Sequence, residues 1–347
     1  MAQKPKHIAV MRLSSMGDVA MTVPVLRALV HQHPELRVTV ISRPFFKPFF
    51  DTVPQLDFIA FDPKTTHNGF LGLWRLYQQL SGLSIDAFAD FHNVLRSKIV
   101  RSLFTLSGKK TAALDKGRAE KKALTRLQNK AFFPLTSMVE RQVKVLEKLG
   151  FPVDLSNPTF PPNLTLAPET QDLVGTKTKP WIGLAPFAQY EGKVYPLDLM
   201  KKVINQLDES GKYELFLLGG GTKEITLLTQ LLEHTKHTKV VAGQLSLTQE
   251  LALMSQFDVL VSMDSANGHM GALLGIPVIT LWGATHPYAG FTPFHQPESN
   301  SLCADRNQFP GLPTSVYGNK VVPGYADAMR TILPETVVAK IQEITAT

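Results

Sequence analysis

"SMDSANGHMGALLGIPVITLWGATHP", Ser262 to Pro287, is the stretch on which the fold turns. An apolar run, Phe257-Asp258-Val259-Leu260-Val261, leads into it and reads as a buried strand. A polar cluster follows, Asp264-Ser265-Ala266-Asn267-Gly268-His269, then a short helical stretch of small residues, then a second apolar run, Val278-Ile279-Thr280-Leu281-Trp282. Strand, helix and strand in that order make one unit of a parallel sheet.

The same alternation extends in both directions. Upstream, His7 to Leu13 reads as a strand, Ser14-Ser15-Met16-Gly17-Asp18 as a turn, and Val19 to His31 as a helix. Strands are expected at Arg37–Ser42, Phe58–Phe61 and Ile85–Phe91, with a helix over Phe70–Ser81. Six prolines between Pro152 and Pro180 interrupt the pattern and mark a junction. The alternation restarts with Trp181–Ala185, a helix over Leu197–Ser210, a strand over Glu214–Leu218, the run Gly219-Gly220-Gly221 and a helix to His234. A strand over Lys239–Val241 and a helix over Thr248–Ser255 then lead back to the quoted stretch. The fold class is therefore α/β, with two Rossmann-like doubly wound domains facing a central cleft. An N-terminal domain is expected over 1–160, a Pro-rich linker over 161–179 and a C-terminal domain over 180–325. A helical segment, 326–347, is expected to pack back on the N-terminal domain.

Totals narrow the function. With 347 residues, two domains are a better expectation than one. A single Cys303 rules out a disulfide framework and a cysteine metal site. No stretch approaches the roughly 18 uninterrupted apolar residues of a membrane span. Arg12 interrupts the first apolar run, which is not a signal peptide, and cytoplasm is the expected compartment. The net charge of +7 suits an anionic partner, or is the ordinary surface of a basic protein.

In open α/β sheets ligands collect beyond the carboxyl ends of strands, and the polar clusters fall there. Asp264 and Ser265 can cap the helix that follows, whose first N–H groups form an anion site. Gly268 lets backbone approach a ligand, and His269 lies one turn in, as a phosphate donor or as an ordinary buried histidine. Gly219 and Gly220 begin a "GGGT" run that can cradle phosphate, although it is neither a Walker loop nor a G-x-G-x-x-G.

The quoted stretch resembles the D-[ST]-G-x-x-H-x-x-x-A-L-G-x-P motif of the ADP-heptose:lipopolysaccharide heptosyltransferases, glycosyltransferase family 9. Asp264, Ser265, His269, Leu274, Gly275 and Pro277 match it. Ala266 stands where the family has Gly, and a left-handed backbone there would be strained. "MRLSSMGDVAMTVPVLRAL" (Met11–Leu29) is similar to the family's R-x-S-x-x-G-D-x-x-x-x-x-P-x-L-x-x-L, and "DFHNVLRS" (Asp90–Ser97) to its D-x-x-x-x-x-R-S. "GKVYP" (Gly192–Pro196) resembles its K-x-[WY]-P, and "LWGATHP" (Leu281–Pro287) sits where the family has F-G-[PA]-T-x-P. The matches span nearly the whole chain in order. The resemblance implies the GT-B fold.

The resemblance also implies roles. Asp18 would be the general base that takes the proton from an acceptor hydroxyl, although an aspartate that caps a helix has the same appearance. Lys193 would stabilise a diphosphate leaving group without a metal, and no Asp-x-Asp pair is present to hold one. Ser14, Ser15, Gly17, Gly219, Gly220, Asp264, Ser265, Ala266, Asn267, Gly268, His269 and Thr285 are candidates for donor binding. Arg96, Ser97, Lys116, Arg118, Lys121, Lys122 and Arg126 are candidates for an anionic acceptor. The run Asp115–Arg126 reads equally as a mobile, solvated charged loop.

The expected function is inverting, metal-independent transfer of heptose from ADP-heptose to a lipopolysaccharide inner-core acceptor. The protein would be a monomer in peripheral contact with the inner face of the plasma membrane. The ADP-sugar is a substrate, and no cofactor, metal or nucleic acid is expected. Two alternatives stay open: a GT-B transferase for another sugar or acceptor, and a nucleotide-sugar-binding protein without turnover.

Overall fold

The computed structural model describes residues 5–320 and 322–346. The chain divides into two compact units. One holds the residues up to Lys116 together with Thr136–Pro161. The other holds Gly117–Leu135 and everything from Pro162 on.

The first unit is built on five parallel strands in the order β3-β2-β1-β4-β5. They are β1 (His7–Met11), β2 (Arg37–Ser42), β3 (Leu56–Ala60), β4 (Ala87–Asp90) and β5 (Lys110–Ala113). Its helices are α1 (Met16–Ala20), α2 (Thr22–Gln32), α3 (Lys47–Phe50), α4 (Gly69–Gly82), α5 (Leu95–Leu106) and, after α6 of the other unit, α7 (Met138–Leu149). The expected single helix over 19–31 is two, because α1 ends at Met21, where α2 begins. Burial is complete along β1, as expected of a central strand covered on both faces.

The second unit has six parallel strands in the order β11-β10-β9-β6-β7-β8. These are β6 (Trp181–Ala185), β7 (Glu214–Leu217), β8 (Thr238–Val240), β9 (Val259–Met263), β10 (Val278–Trp282) and β11 (Ser301–Cys303). Its helices are α6 (Arg118–Leu124), α8 (Pro168–Val174), α9 (Leu197–Glu209), α10 (Gly221–Gln230), α11 (Leu247–Met254), α12 (Ala266–Leu273) and α13 (Pro334–Thr345).

Both sheets begin in the middle. β1 pairs with β2 on one side and β4 on the other, and β6 pairs likewise with β7 and β9. The winding direction reverses there, so the loops after β1 and β4, and after β6 and β9, splay apart and leave a crevice at each carboxyl edge.

Two assignments differ from the sequence expectation, those of the 117–135 segment and of helix α13. The 117–135 segment joins the second unit, although it lies within the expected N-terminal domain. The Pro-rich segment is tied to the second unit: Leu164 N–H donates to Ser255 Oγ (2.9 Å), and Lys177 pairs with Asp258 (2.8 Å). Helix α13, expected to pack back on the N-terminal domain, belongs to the second unit and packs on α9, because Val337, Val338 and Ile341 complete the core around Met200, Val203 and Leu207. Tyr195 anchors its approach by donating to the Ile332 carbonyl at 2.7 Å.

Candidate active site

In the first unit the crevice is built from the loops after β1 and β4. Ser15 is the N-cap of α1, and Asp18 closes a capping box with it. Asp18 Oδ2 accepts from Ser15 Oγ at 2.8 Å and from Ser15 N–H at 3.3 Å. It also pairs with Arg12 Nη2 at 2.5 Å. The guanidinium is 5% exposed and the carboxylate 21%. Arg12 is held from behind by the Phe91 carbonyl, to which Nη1 donates at 2.6 Å. Asp18 is thus both a cap and an oriented carboxylate at a ligand edge, so the two sequence readings do not exclude each other. Gly17 lies in the same helical turn.

Sequence reasoning missed His92. Its Nε2 lies 3.5 Å from Ser14 Oγ, a contact that joins the β1 and β4 loops through side chains of the motifs. Burial, aided by the nearby Arg12, Lys116 and Arg43 charges, holds its pKa down at about 3, so the ring is neutral. Asp90 shapes this loop from below. It is fully buried, accepts from the backbone N–H groups of His92 (3.1 Å) and Asn93 (2.6 Å), and pairs with Arg101 (3.1 Å). A histidine two residues beyond a strand-ending aspartate was the available signal.

Of the acceptor candidates, Arg96 is exposed at the start of α5, whereas Ser97 is fully buried. Ser97 Oγ accepts from Val94 N–H at 3.0 Å and donates to the Val94 carbonyl at 3.1 Å, so its role is structural. The basic run is split. Lys116 belongs to the first unit, while Arg118, Lys121, Lys122 and Arg126 belong to the second. The expected mobile loop is helix α6 for most of its length. Lys121 is buried, with its ammonium 4.1 Å from the Phe291 ring centroid, which takes it from the acceptor set. Arg118, Lys122 and Arg126 remain exposed.

In the second unit, Lys193 stands in the turn after β6 and Asp264 directly follows β9. Their side chains meet at 3.0 Å, 13% and 9% exposed. Two motifs far apart in sequence are therefore one ion pair. Glycines make the approach possible. Ala284 N–H donates to the Gly192 carbonyl at 2.8 Å, and a Cβ on Gly283 would stand 2.7 Å from that same oxygen.

Ser265 occupies the N-cap of α12 but makes no side-chain cap bond; its hydroxyl lies 3.1 Å from Ser262 Oγ. The N–H groups in the first turn of α12, from Ala266 and Asn267 to Gly268, are thus not taken by a side-chain cap, as an anion site requires. Ala266 is an ordinary helical residue, and the strain anticipated from the missing glycine does not arise. The small residues serve packing. A Cβ on Gly271 would lie 2.8 Å from Leu260 Cδ2 and 3.0 Å from Val278 Cγ2, so α12 lies close on β9 and β10. His269 is buried one turn into the helix. Thr285, beyond β10, is 1% exposed, and its Oγ1 lacks a hydrogen-bond partner among the described residues.

The glycine run is less open than it read. Gly220 N–H already donates to Glu224 Oε2 at 2.8 Å, so a carboxylate from the first turn of α10 stands where Gly219 and Gly220 would hold phosphate.

A family model described as glycosyltransferase family 9 (heptosyltransferase) matches residues 73–319. Lipopolysaccharide core heptosyltransferase OpsX of Haemophilus influenzae is 24% identical over 82% of this chain and 81% of its own length. Lipooligosaccharide heptosyltransferase 2 of the same organism is 26% identical over 98% and 99%. Among solved structures, a family 9 glycosyltransferase from Veillonella parvula superposes with a TM-score of 0.76 at 19% identity, covering 98% of this chain and 97% of that one. E. coli heptosyltransferase WaaC with ADP gives 0.69 at 18%, covering 97% and 99%. The architecture is accordingly GT-B. A family match across well over half of the chain, on a fold of two parallel α/β sheets with the family's motifs at their carboxyl edges, makes this protein a glycosyltransferase that belongs to family 9.

Proposed function

We propose that the chain transfers heptose from ADP-heptose to an anionic acceptor of the lipopolysaccharide inner core, with inversion and without a metal. The observation that carries this reading is the pairing of Arg12 with Asp18 in one unit and of Lys193 with Asp264 in the other. The relatives' names supply the sugar and the acceptor, and the E. coli WaaC neighbour is a complex with ADP.

Asp18 takes the proton from the attacking acceptor hydroxyl as the new glycosidic bond forms. Ser15 and Arg12 fix the carboxylate in one orientation, which lowers the entropic cost of reaching the attack geometry. The oxygen of the leaving diphosphate gains negative charge as the old bond breaks. Lys193 and the first N–H groups of α12 stabilise that charge, and no metal ion is required for it. Asn267, Gly268, His269 and Thr285 surround the same donor. The ADP-sugar is a substrate, not a cofactor.

Exposed apolar side chains support contact with the membrane face. Phe45 in the turn after β2, Phe70 and Leu71 in the first turn of α4 and Leu95 at the start of α5 all follow strands of the first sheet, among exposed Arg43, Lys47, Lys64 and Arg96. Among the described residues no helix is long and apolar enough to cross a membrane.

The test is nucleotide release from a panel of ADP-, UDP- and GDP-sugars with and without a deacylated inner-core acceptor. Acceptor-dependent release from ADP-heptose, a product anomer inverted by NMR and turnover unaffected by EDTA are expected. Release confined to a UDP- or GDP-sugar would replace the donor assignment.

A further inference from the structure

We propose that Lys130, Arg306 and His286 of the second unit form an anion-binding site for a phosphate or carboxylate group. None of the three takes part in the transfer chemistry described above, and only the source of the bound group rests on that reading.

The site is made by the 117–135 segment folding onto its own unit. Leu124 and Leu135 pack with Ala289, and Leu135 N–H donates to the Tyr288 carbonyl at 2.9 Å. This brings Lys130 and Phe132 beside the loop that follows β10. Lys130 Nζ donates to the Leu124 carbonyl at 2.8 Å and to the Pro313 carbonyl at 2.7 Å. Arg306 Nε donates to the neighbouring Leu312 carbonyl at 3.0 Å. Two consecutive carbonyls therefore hold both cations in one place. The Arg306 guanidinium carbon lies over Phe132, 3.4 Å from the ring centroid, and His286 meets the same ring edge-on at 5.0 Å.

The donors point to a missing acceptor. His286 Nδ1 accepts from Tyr288 N–H at 3.1 Å, which leaves the ring proton on Nε2. Two of the three Lys130 protons are used, and the outer nitrogens of Arg306 have no partner among the described residues. No described carboxylate pairs with either cation. The adjacent Asp305 accepts from Asn307 N–H (2.7 Å) and Gln308 Nε2 (3.0 Å) instead. Burial and then the Arg306 charge bring the Lys130 amine down to about 8. Burial, Arg306 and Lys130 bring His286 down to about 4. Each group thus meets the others as repulsion, with no acid to relieve it. A rigid guanidinium fork, an ammonium and a neutral imidazole N–H, gathered by Phe132 and the two consecutive carbonyls, match an oxyanion. In this protein such a group has two sources, the diphosphate of the donor or an acidic substituent of the acceptor.

Calorimetric titration of the full chain with inorganic phosphate at low ionic strength, with and without saturating ADP, tests the site. Phosphate binding is expected to weaken at least tenfold in Lys130→Gln and Arg306→Gln and to persist in the charge-conserving Lys130→Arg. Binding that survives saturation with ADP identifies the acceptor as the source. Binding that ADP abolishes, with ADP itself weakened in both variants, identifies the donor diphosphate. Absence of phosphate binding, or equal binding in wild type and both glutamine variants, overturns the proposal. The second result is expected if phosphate is taken up only near Lys193. Should Lys130→Gln lose its fold by circular dichroism, Arg306→Gln against Arg306→Lys decides.

Discussion

Lys193 Nζ and Asp264 Oδ2 lie 3.0 Å apart at the crevice between β6 and β9, both largely withdrawn from water. A pair so placed costs desolvation of two charges and leaves an uncompensated charge when one is removed. Lys193→Ala is therefore expected to weaken ADP roughly ten- to a hundredfold, the loss of one charge-assisted contact of about 1.5–3 kcal/mol. It should also slow transfer. Calorimetry with ADP and steady-state kinetics check this, and unchanged ADP affinity in both Lys193→Ala and His269→Ala would move the diphosphate elsewhere.

Asp18→Asn should lower kcat at least about a hundredfold while the ADP Kd stays within about twofold, since proton removal is lost and donor contacts are kept. Arg12→Met should also reduce kcat with little change in ADP binding, because Asp18 then loses the guanidinium that orients it. Equal turnover in wild type and Asp18→Asn removes the carboxylate from the mechanism.

The neutral state of His92 has a cost at low pH. Its folded pKa is about 3, while an unfolded histidine titrates near about 6.5. Between those values the unfolded chain binds the proton and the folded chain does not, so stability falls as pH falls through that window. The slope is at most about 1.4 kcal/mol per pH unit for one group. His286, held down to about 4 by burial, acts in the same direction. Urea midpoints at pH 6.5, 5.5 and 4.5 should drop less steeply in His92→Gln than in wild type. Parallel curves for the two proteins would show that His92 carries no such linkage.

Two glycines of the second unit should respond differently to an added methyl group. Gly271→Ala forces α12 off β9 and β10 and is expected to cost about 1–3 kcal/mol and to weaken ADP, because the anion-facing turn moves with the helix. Gly220→Ala meets nothing within 4 Å and has an extended backbone, so Tm and ADP affinity should hardly change. A destabilised Gly220→Ala beside a stable Gly271→Ala would reverse this account of the packing.

Along the basic run, Lys121→Met should lower Tm with acceptor KM unchanged, since its ammonium is spent on Phe291. Arg118→Ala with Lys122→Ala should raise acceptor KM at low salt with Tm unchanged, since both side chains are exposed. Equal KM values for that double variant and wild type would return the exposed part of α6 to solvent.

The sequence by itself determined the fold and which polar clusters fall at strand ends. Continuous apolar runs such as Val259–Met263 and Val278–Trp282 can be buried only as central strands, and polar clusters that interrupt them must emerge at a strand end. The short edge strands Lys110–Ala113 and Ser301–Cys303 escaped notice because three or four residues carry too little periodicity to stand out. What only the tertiary structure decided is partnership. That Lys193 reaches Asp264, that Arg12 grips Asp18, that His92 stands by Ser14 and that α6 and α13 both belong to the second unit depend on contacts between distant segments. Local patterning reports which face of an element is apolar. It carries no record of which other apolar face will cover it, and the placing of Lys121 over Phe291 follows from that covering.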